Sequence, residues 1–231
     1  MAKEMSAGPI GSLQTASFWR TITRGPGVFG IAVAVSLAGC TATRTSSGTS
    51  PQRSGASSSR SALDAALQPG DVSGLHRCAL SGTVTNAIDA LRTQGGTDQA
   101  SRLETTWSDL KVGGAQEAAY VEYVSTDSDC GANPPSGKAV VNIVVKFDGE
   151  QHATAAYQSG GLTGGGAPSS AEFPGAQIGQ QTGLGANSII ISTGSVAAAL
   201  WSVDKYYSIL SLYSGGVLEL RDLAGKVKAR E

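Results

Sequence analysis

The chain has 231 residues, with 17 Lys and Arg against 18 Asp and Glu, a formal net charge of −1. No basic stripe interleaved with aromatics occurs, which argues against a nucleic-acid partner. With two histidines and three cysteines, and no His/Cys pattern at ligand spacing, neither a metal nor another cofactor is expected.

Residues 1–27 carry Lys3, Arg20 and Arg24 against one acid, Glu4, and an apolar run follows at 28–37. A positive segment before a short apolar core is the order of a secretion signal. The core is too short to span a bilayer, which takes about 20 apolar residues. It ends in Leu37, Ala38, Gly39 and Cys40. Small side chains at 38 and 39 let an extended backbone enter a peptidase groove, and Cys40 brings a nucleophilic sulfur. The stretch resembles the lipobox of bacterial lipoproteins. That resemblance implies a signal peptide over residues 1–39 and lipidation of Cys40 with a diacylglyceryl group. The mature chain would then sit on the extracytoplasmic face of the cell membrane, its partner being the membrane itself through palmitate-type chains. The long basic segment leaves Met5 as an alternative start.

Removing Lys3, Arg20, Arg24 and Glu4 with the leader leaves 14 basic and 17 acidic residues, a net of −3. Of the residues 41–61, 12 are Ser or Thr and none is acidic or large and apolar. Such a segment cannot bury enough surface to offset its ordering entropy. Residues 40–61 therefore read as the lipidated cysteine and a disordered tether, spanning about 25 Å as a flexible coil. Residues 62–231 have the length of one domain. With Cys40 assigned to lipid, Cys78 and Cys130 remain. In an exported protein an even residual count favours a disulfide.

Within the domain, residues 61–67 suit a short helix closed by Pro69 and Gly70. Ser81 is placed to cap a helix carrying Val84, Ile88 and Leu91 at i, i+4, i+7, stopped by Gly95 and Gly96. Thr97 is placed to cap another with Ala100, Leu103, Trp107 and Leu110, although Thr105 to Trp107 would also suit a strand. From Ala118 the period changes to two, predicting a strand with Ala119, Val121 and Tyr123 on one face. A second strand has Val141, Ile143, Val145 and Phe147 on one face, with Asn142 and Lys146 diluting the other. Asp148 and Gln151 resemble a capping box before a short helix to Tyr157. A Gly/Ser/Pro loop follows at 159–175. Runs at 189–192, 196–203 and 206–212 predict a meander, its first turn, Gly194-Ser195, of type II′. Val217, Leu220, Leu223 and Val227 predict a closing helix whose terminal Lys226, Lys228 and Arg230 complement the helix dipole. The expected class is α+β: an antiparallel sheet with helices packed on one face, ending in a three-stranded meander plus helix.

The order of Cys78, Trp107, Gly114-Ala115, the Tyr-rich strand, Cys130, Phe147, the 182–185 turn, Trp201 and the Asp222-Leu223-Ala224 helix carries a further resemblance. It looks like lipoproteins of high-GC Gram-positive bacteria and is similar to extracellular sensor domains of mycobacterial receptor kinases. Those domains usually hold two disulfides, and this chain can form one, so no binding residue is transferred.

Chemistry-bearing motifs are weak. Residues 131–138 imitate a phosphate loop, but with five residues between the glycines and Ala139 where a Ser or Thr would hold magnesium. Ser202 to Lys205 fits Ser-x-x-Lys, yet falls at a strand turn rather than a helix start. Asp127, Asp129 and Asn133 do not complete a calcium loop. His76 and His152 lack a nucleophile motif. Trp107, Trp201, Tyr206, Tyr207 and Tyr213 form a candidate ligand groove, with core packing as the alternative. The expectation is a non-catalytic binding or sensor-like module, its partner a small ligand or an envelope protein. A carrier or chaperone for an envelope lipid or glycan comes second, and a hydrolase third.

Overall fold

The computed structural model describes residues 60–163, 169–171 and 173–231. The expected signal peptide, Cys40 and the expected tether through residue 59 lie outside the described residues, as does part of the 159–175 loop. Among the described residues there are five helices: α1 (Ala62–Ala65), α2 (Val84–Thr93), α3 (Thr97–Val112), α4 (Glu150–Gln158) and α5 (Val217–Lys228). The strands are β1 (His76–Arg77), β2 (Gly82–Thr83), β3 (Ala115–Val124), β4 (Ala139–Phe147), β5 (Gln177–Ile178), β6 (Ser188–Thr193), β7 (Val196–Val203) and β8 (Tyr206–Tyr213). They form one antiparallel sheet in the order β1-β3-β4-β8-β7-β6-β5, with β2 also pairing β3. β1 and β2 occupy one position along the outer edge of β3, so the sheet is seven positions wide.

The α+β class, the β6-β7-β8 meander and the helix that follows it are as expected. The turn at Gly194-Ser195 joins Thr193 to Val196, and Gly194 alone of the two has positive φ (+58°), the type II′ arrangement. Residues 97–112 form a helix throughout, so the strand alternative for Thr105 to Trp107 falls away.

Helices cover both faces of the sheet, where one face was expected. α2, α3 and α4 lie on one side with Ala118, Tyr120, Val145, Phe147, Tyr207 and Ile209. α1 and α5 lie on the other with Val121, Tyr123, Val140, Val144, Trp201 and Leu210. The reason is visible in β4, β7 and β8. Their residues alternate in direction, yet apolar side chains occupy both sets, and an apolar face left in water would be unstable.

Asn142 and Lys146, the two polar breaks in β4, sit on the α1 side and fasten the N-terminal segment there. Buried Asn142 accepts from the Leu67 amide at 2.9 Å and donates to the Ile209 carbonyl at 2.9 Å. Lys146 donates to Glu117 Oε1 at 2.8 Å, and Glu117 Oε2 accepts from the Ala62 amide at 3.0 Å. Tyr123 donates to the Leu67 carbonyl, Tyr206 to the Arg60 carbonyl. Arg230 beyond α5 pairs with Asp71 at 2.7 Å and donates to the Ala65 and Ala66 carbonyls. Arg230 thus clamps the start of the domain as well as suiting a helix terminus. Asn142→Leu is expected to cost about 1–3 kcal/mol, because the Leu67 amide is left buried and unpaired. Thermal unfolding and hydrogen exchange at Leu67 measure it. An unchanged melting temperature and a protected Leu67 amide would contradict this role.

Three cap assignments change. Thr97 is the first residue of α3, which starts from Gly96 without a side-chain cap. Thr83, not Ser81, caps α2 through the Asn86 amide. Ser81 Oγ instead accepts from the Glu122 amide and donates to the Glu122 carbonyl, bridging the gap between β1 and β2. α4 starts at Gly149 without a side-chain cap, and Asp148 pairs with His152 Nδ1. That pair lies against Gly114, whose φ is +94° and where a Cβ would come within 2.8 Å of His152 Nδ1.

Candidate functional site

The expected groove is not formed by the five aromatics. Tyr206 and Tyr207 are consecutive strand residues and so point to opposite faces. Trp201 and Tyr206 are buried in the α5-side core. Tyr207 is buried in the other core, with Trp107 and Tyr213 packed against it. Tyr157 meets Tyr207 edge-on at 5.8 Å, and Lys111 Nζ lies 5.7 Å from the Trp107 ring centre. Alternation divides these aromatics between two cores, and burial keeps the largest of them from lining a surface cleft.

Cys78 and Cys130 form the expected disulfide, with Cα atoms 5.5 Å apart. The bond joins the turn between β1 and β2 to the β3–β4 connection. Glu122, on β3 between these two segments, is 1% exposed. Its carbonyl accepts from the Cys78 amide at 2.9 Å, and its Oε2 accepts from the Gly131 amide at 3.1 Å. Burial pushes its carboxyl up to about 7, against the opposing hydrogen bonds from Gly131 and Tyr120. Asp129, nearby, accepts from the Ser136 hydroxyl and amide and from the Gly137 amide. These bonds, that of the Ser136 hydroxyl first, hold Asp129 below the usual carboxylate range. Asp129 is thus occupied in shaping its own loop rather than presented to a cation. The sequence offered one sign of this hub: Glu122 interrupts the apolar stretch from Ala118 to Val124.

A cleft of about 450 Å³ opens beside this loop, lined by residues 95–99, Arg102 and Asn133. The α2–α3 turn forms one wall, and the disulfide-linked loop supplies Asn133.

Glu231 is a second carboxylate drawn into the protein, half-buried, on the opposite face. Trp201 Nε1 donates to it at 2.6 Å and Ser208 Oγ also donates to it. Burial pushes its carboxyl up to about 7 as well.

The remaining chemistry-bearing motifs stay apart. Ser202 lies in β7 with its hydroxyl buried and unpaired, while Lys205 sits in the next turn and gives its carbonyl to the Phe147 amide. His76 is exposed on β1, and His152 is held by Asp148 on α4. Among the described residues no three His, Cys, Asp or Glu side chains gather as a metal site, and no helix is long and apolar enough to cross a membrane.

No family model, curated protein or solved structure matches this chain.

Proposed function

We propose that the chain is a lipoprotein anchored through Cys40 on the extracytoplasmic face of a cell membrane, with residues 62–231 acting as a non-catalytic binding or sensor-like module. The observation that carries this reading is the lipobox-like stretch at 37–40, followed by a Ser/Thr-rich tether that runs up to the packed domain. The contacts of Arg60 and Ala62 support it, because they fasten the tether's end to the sheet at Tyr206 and Glu117. The disulfide suits an oxidising compartment. A binding role is supported by the open cleft at the α2–α3 turn, to which Thr97, Asp98, Gln99, Arg102 and Asn133 bring polar side chains.

Cys40→Ala is expected to leave an unlipidated precursor. Two acyl chains supply the second anchor that one chain lacks, at about 0.8 kcal/mol per buried methylene. Mass measurement of the N-terminal peptide and membrane fractionation read the outcome. A Cys40→Ala protein that still carries diacylglycerol and matures normally would defeat the anchoring. Native mass spectrometry of the purified domain tests the binding role through a co-purifying small molecule, lost when residues lining the cleft are exchanged.

A further inference from the structure

We propose that Glu122 is a proton-operated latch, holding the loop that follows Cys130, and with it the Asn133 wall of the cleft, against β3. This goes beyond the anchoring and binding reading and does not depend on it.

The geometry makes Glu122 the joint between two segments. Its backbone is fixed to the β1–β2 turn by Ser81 and by the Cys78 amide. Only its side chain reaches across to the loop, at the Gly131 amide. Gly131 has a φ of +75°, and a Cβ there would lie 3.1 Å from Gln94 Oε1 and 3.3 Å from Leu80. The loop therefore packs closely against the end of α2 and against Leu80. Cys130 is covalently pinned and Asp129 holds Ser136 and Gly137, so the element left to Glu122 is the stretch from Gly131 to Pro135, including Asn133.

The charged and titratable neighbours give the carboxylate little support. Tyr120, on the same strand, donates to it, and Tyr213 of β8 acts on Tyr120. Asp129, in the loop, opposes its negative charge. Arg92 of α2 is engaged with Asp89 and Glu104. Arg77 of β1 pairs opposite Tyr123, and its exposed neighbour His76 opposite Val124. Protonated, Glu122 is a neutral group suited to its burial. Ionised, it carries a buried charge held by the Gly131 and Tyr120 donors alone, with no cation among the described residues acting on it.

The sign follows from linkage. The carboxyl is raised from 4.5 to about 7, so the folded loop binds the proton more tightly than the open loop does. The cost of keeping Glu122 buried is absent below pH 4.5, grows between 4.5 and 7, and is complete above 7. If opening restores the ordinary carboxyl, the opening equilibrium rises about 30-fold between pH 5.5 and pH 8.5.

Hydrogen exchange of the amides from Gly131 to Asn133, in the folded, disulfide-bonded protein, measures this equilibrium. After correction for the intrinsic base-catalysed rate, wild type should show that ~30-fold rise. Glu122→Gln keeps an acceptor for Gly131 but cannot ionise, so the excess should vanish and the loop should stay protected at pH 8.5. His76→Asn and Glu231→Gln should leave the excess intact. Should Glu122→Gln fail to fold, the wild-type carboxyl ¹³C titration serves instead, its midpoint coinciding with that of the loop amide shifts. Exchange that follows only the intrinsic rate, or an excess that survives in Glu122→Gln or disappears in His76→Asn, overturns the latch. Amide shifts with a midpoint different from the carboxyl do the same.

Discussion

Leu220→Asp should abolish cooperative folding of the domain, or lower its melting temperature by roughly 10–20 °C, at about 2–4 °C per kcal/mol for a domain of this size. Leu220 has 0% exposure on the inner face of α5. It belongs to one core with Leu223, Ala224 and Val227 from the same helix and with Trp201, Leu210 and Leu212 from the sheet. Deleting such a leucine to alanine costs about 2–5 kcal/mol. An aspartate adds the penalty of a buried, unpaired charge. The total approaches the 5–15 kcal/mol that typically separates a folded domain from its unfolded chain. The damage would spread, because Lys226 and Arg230 hold the Asp71 segment. Leu218→Asp, two residues away and 80% exposed, is the control and should melt as wild type does. If Leu220→Asp keeps the wild-type melting curve, α5 does not dock on the sheet.

Replacing both cysteines, Cys78→Ala with Cys130→Ala, should destabilise the domain by about 4 kcal/mol, the chain entropy of a cross-link of this span. The bond closes a sequence separation of 52 residues that includes α2, α3 and β3. It holds the β1–β2 edge and the β3–β4 loop together, a place where β1 and β2 contribute only two residues each. Denaturant unfolding of the oxidised protein, the reduced protein and the double variant measures the effect. The midpoint should fall by a similar amount on reduction and on replacement. Equal midpoints in all three would show that non-covalent contacts alone secure this edge. A peptide digest of the oxidised domain should also contain Cys78 and Cys130 linked, and the folded protein should resist thiol alkylation.

Both experiments probe features that differ in how visible they were beforehand. The α5 pattern repeats at helical spacing over Val217, Leu220, Leu223 and Val227, and the helix occurs there, at Val217–Lys228. The meander strands exceed their expected bounds by one residue at most at each end, because the turn residues Gly194 and Asp204 punctuate them. Trp107, Trp201, Tyr206, Tyr207 and Tyr213 were legible as buried aromatics or as a groove, and composition could not choose between those. The short β1, β2 and β5 gave no periodic signal, since two residues cannot establish one. They are strands only because β3 and β6 offer edges to pair with.

By itself the sequence determined the elements with long internal periods, the α+β class and the cysteine pair, and it alone motivates the proposed anchoring at Cys40. These depend on side-chain alternation, turn chemistry and composition, all local along the chain. Only the tertiary structure decided which faces of the sheet are covered, where the tether's end is fastened, and what the polar residues inside β3 and β4 do. Glu122, Asn142 and Lys146 look alike as interruptions of apolar strands. Their partners, Gly131, Leu67 and Glu117, lie 9, 75 and 29 residues away. A buried polar group takes its role from the partner that satisfies it, and that partner is assigned when the chain folds.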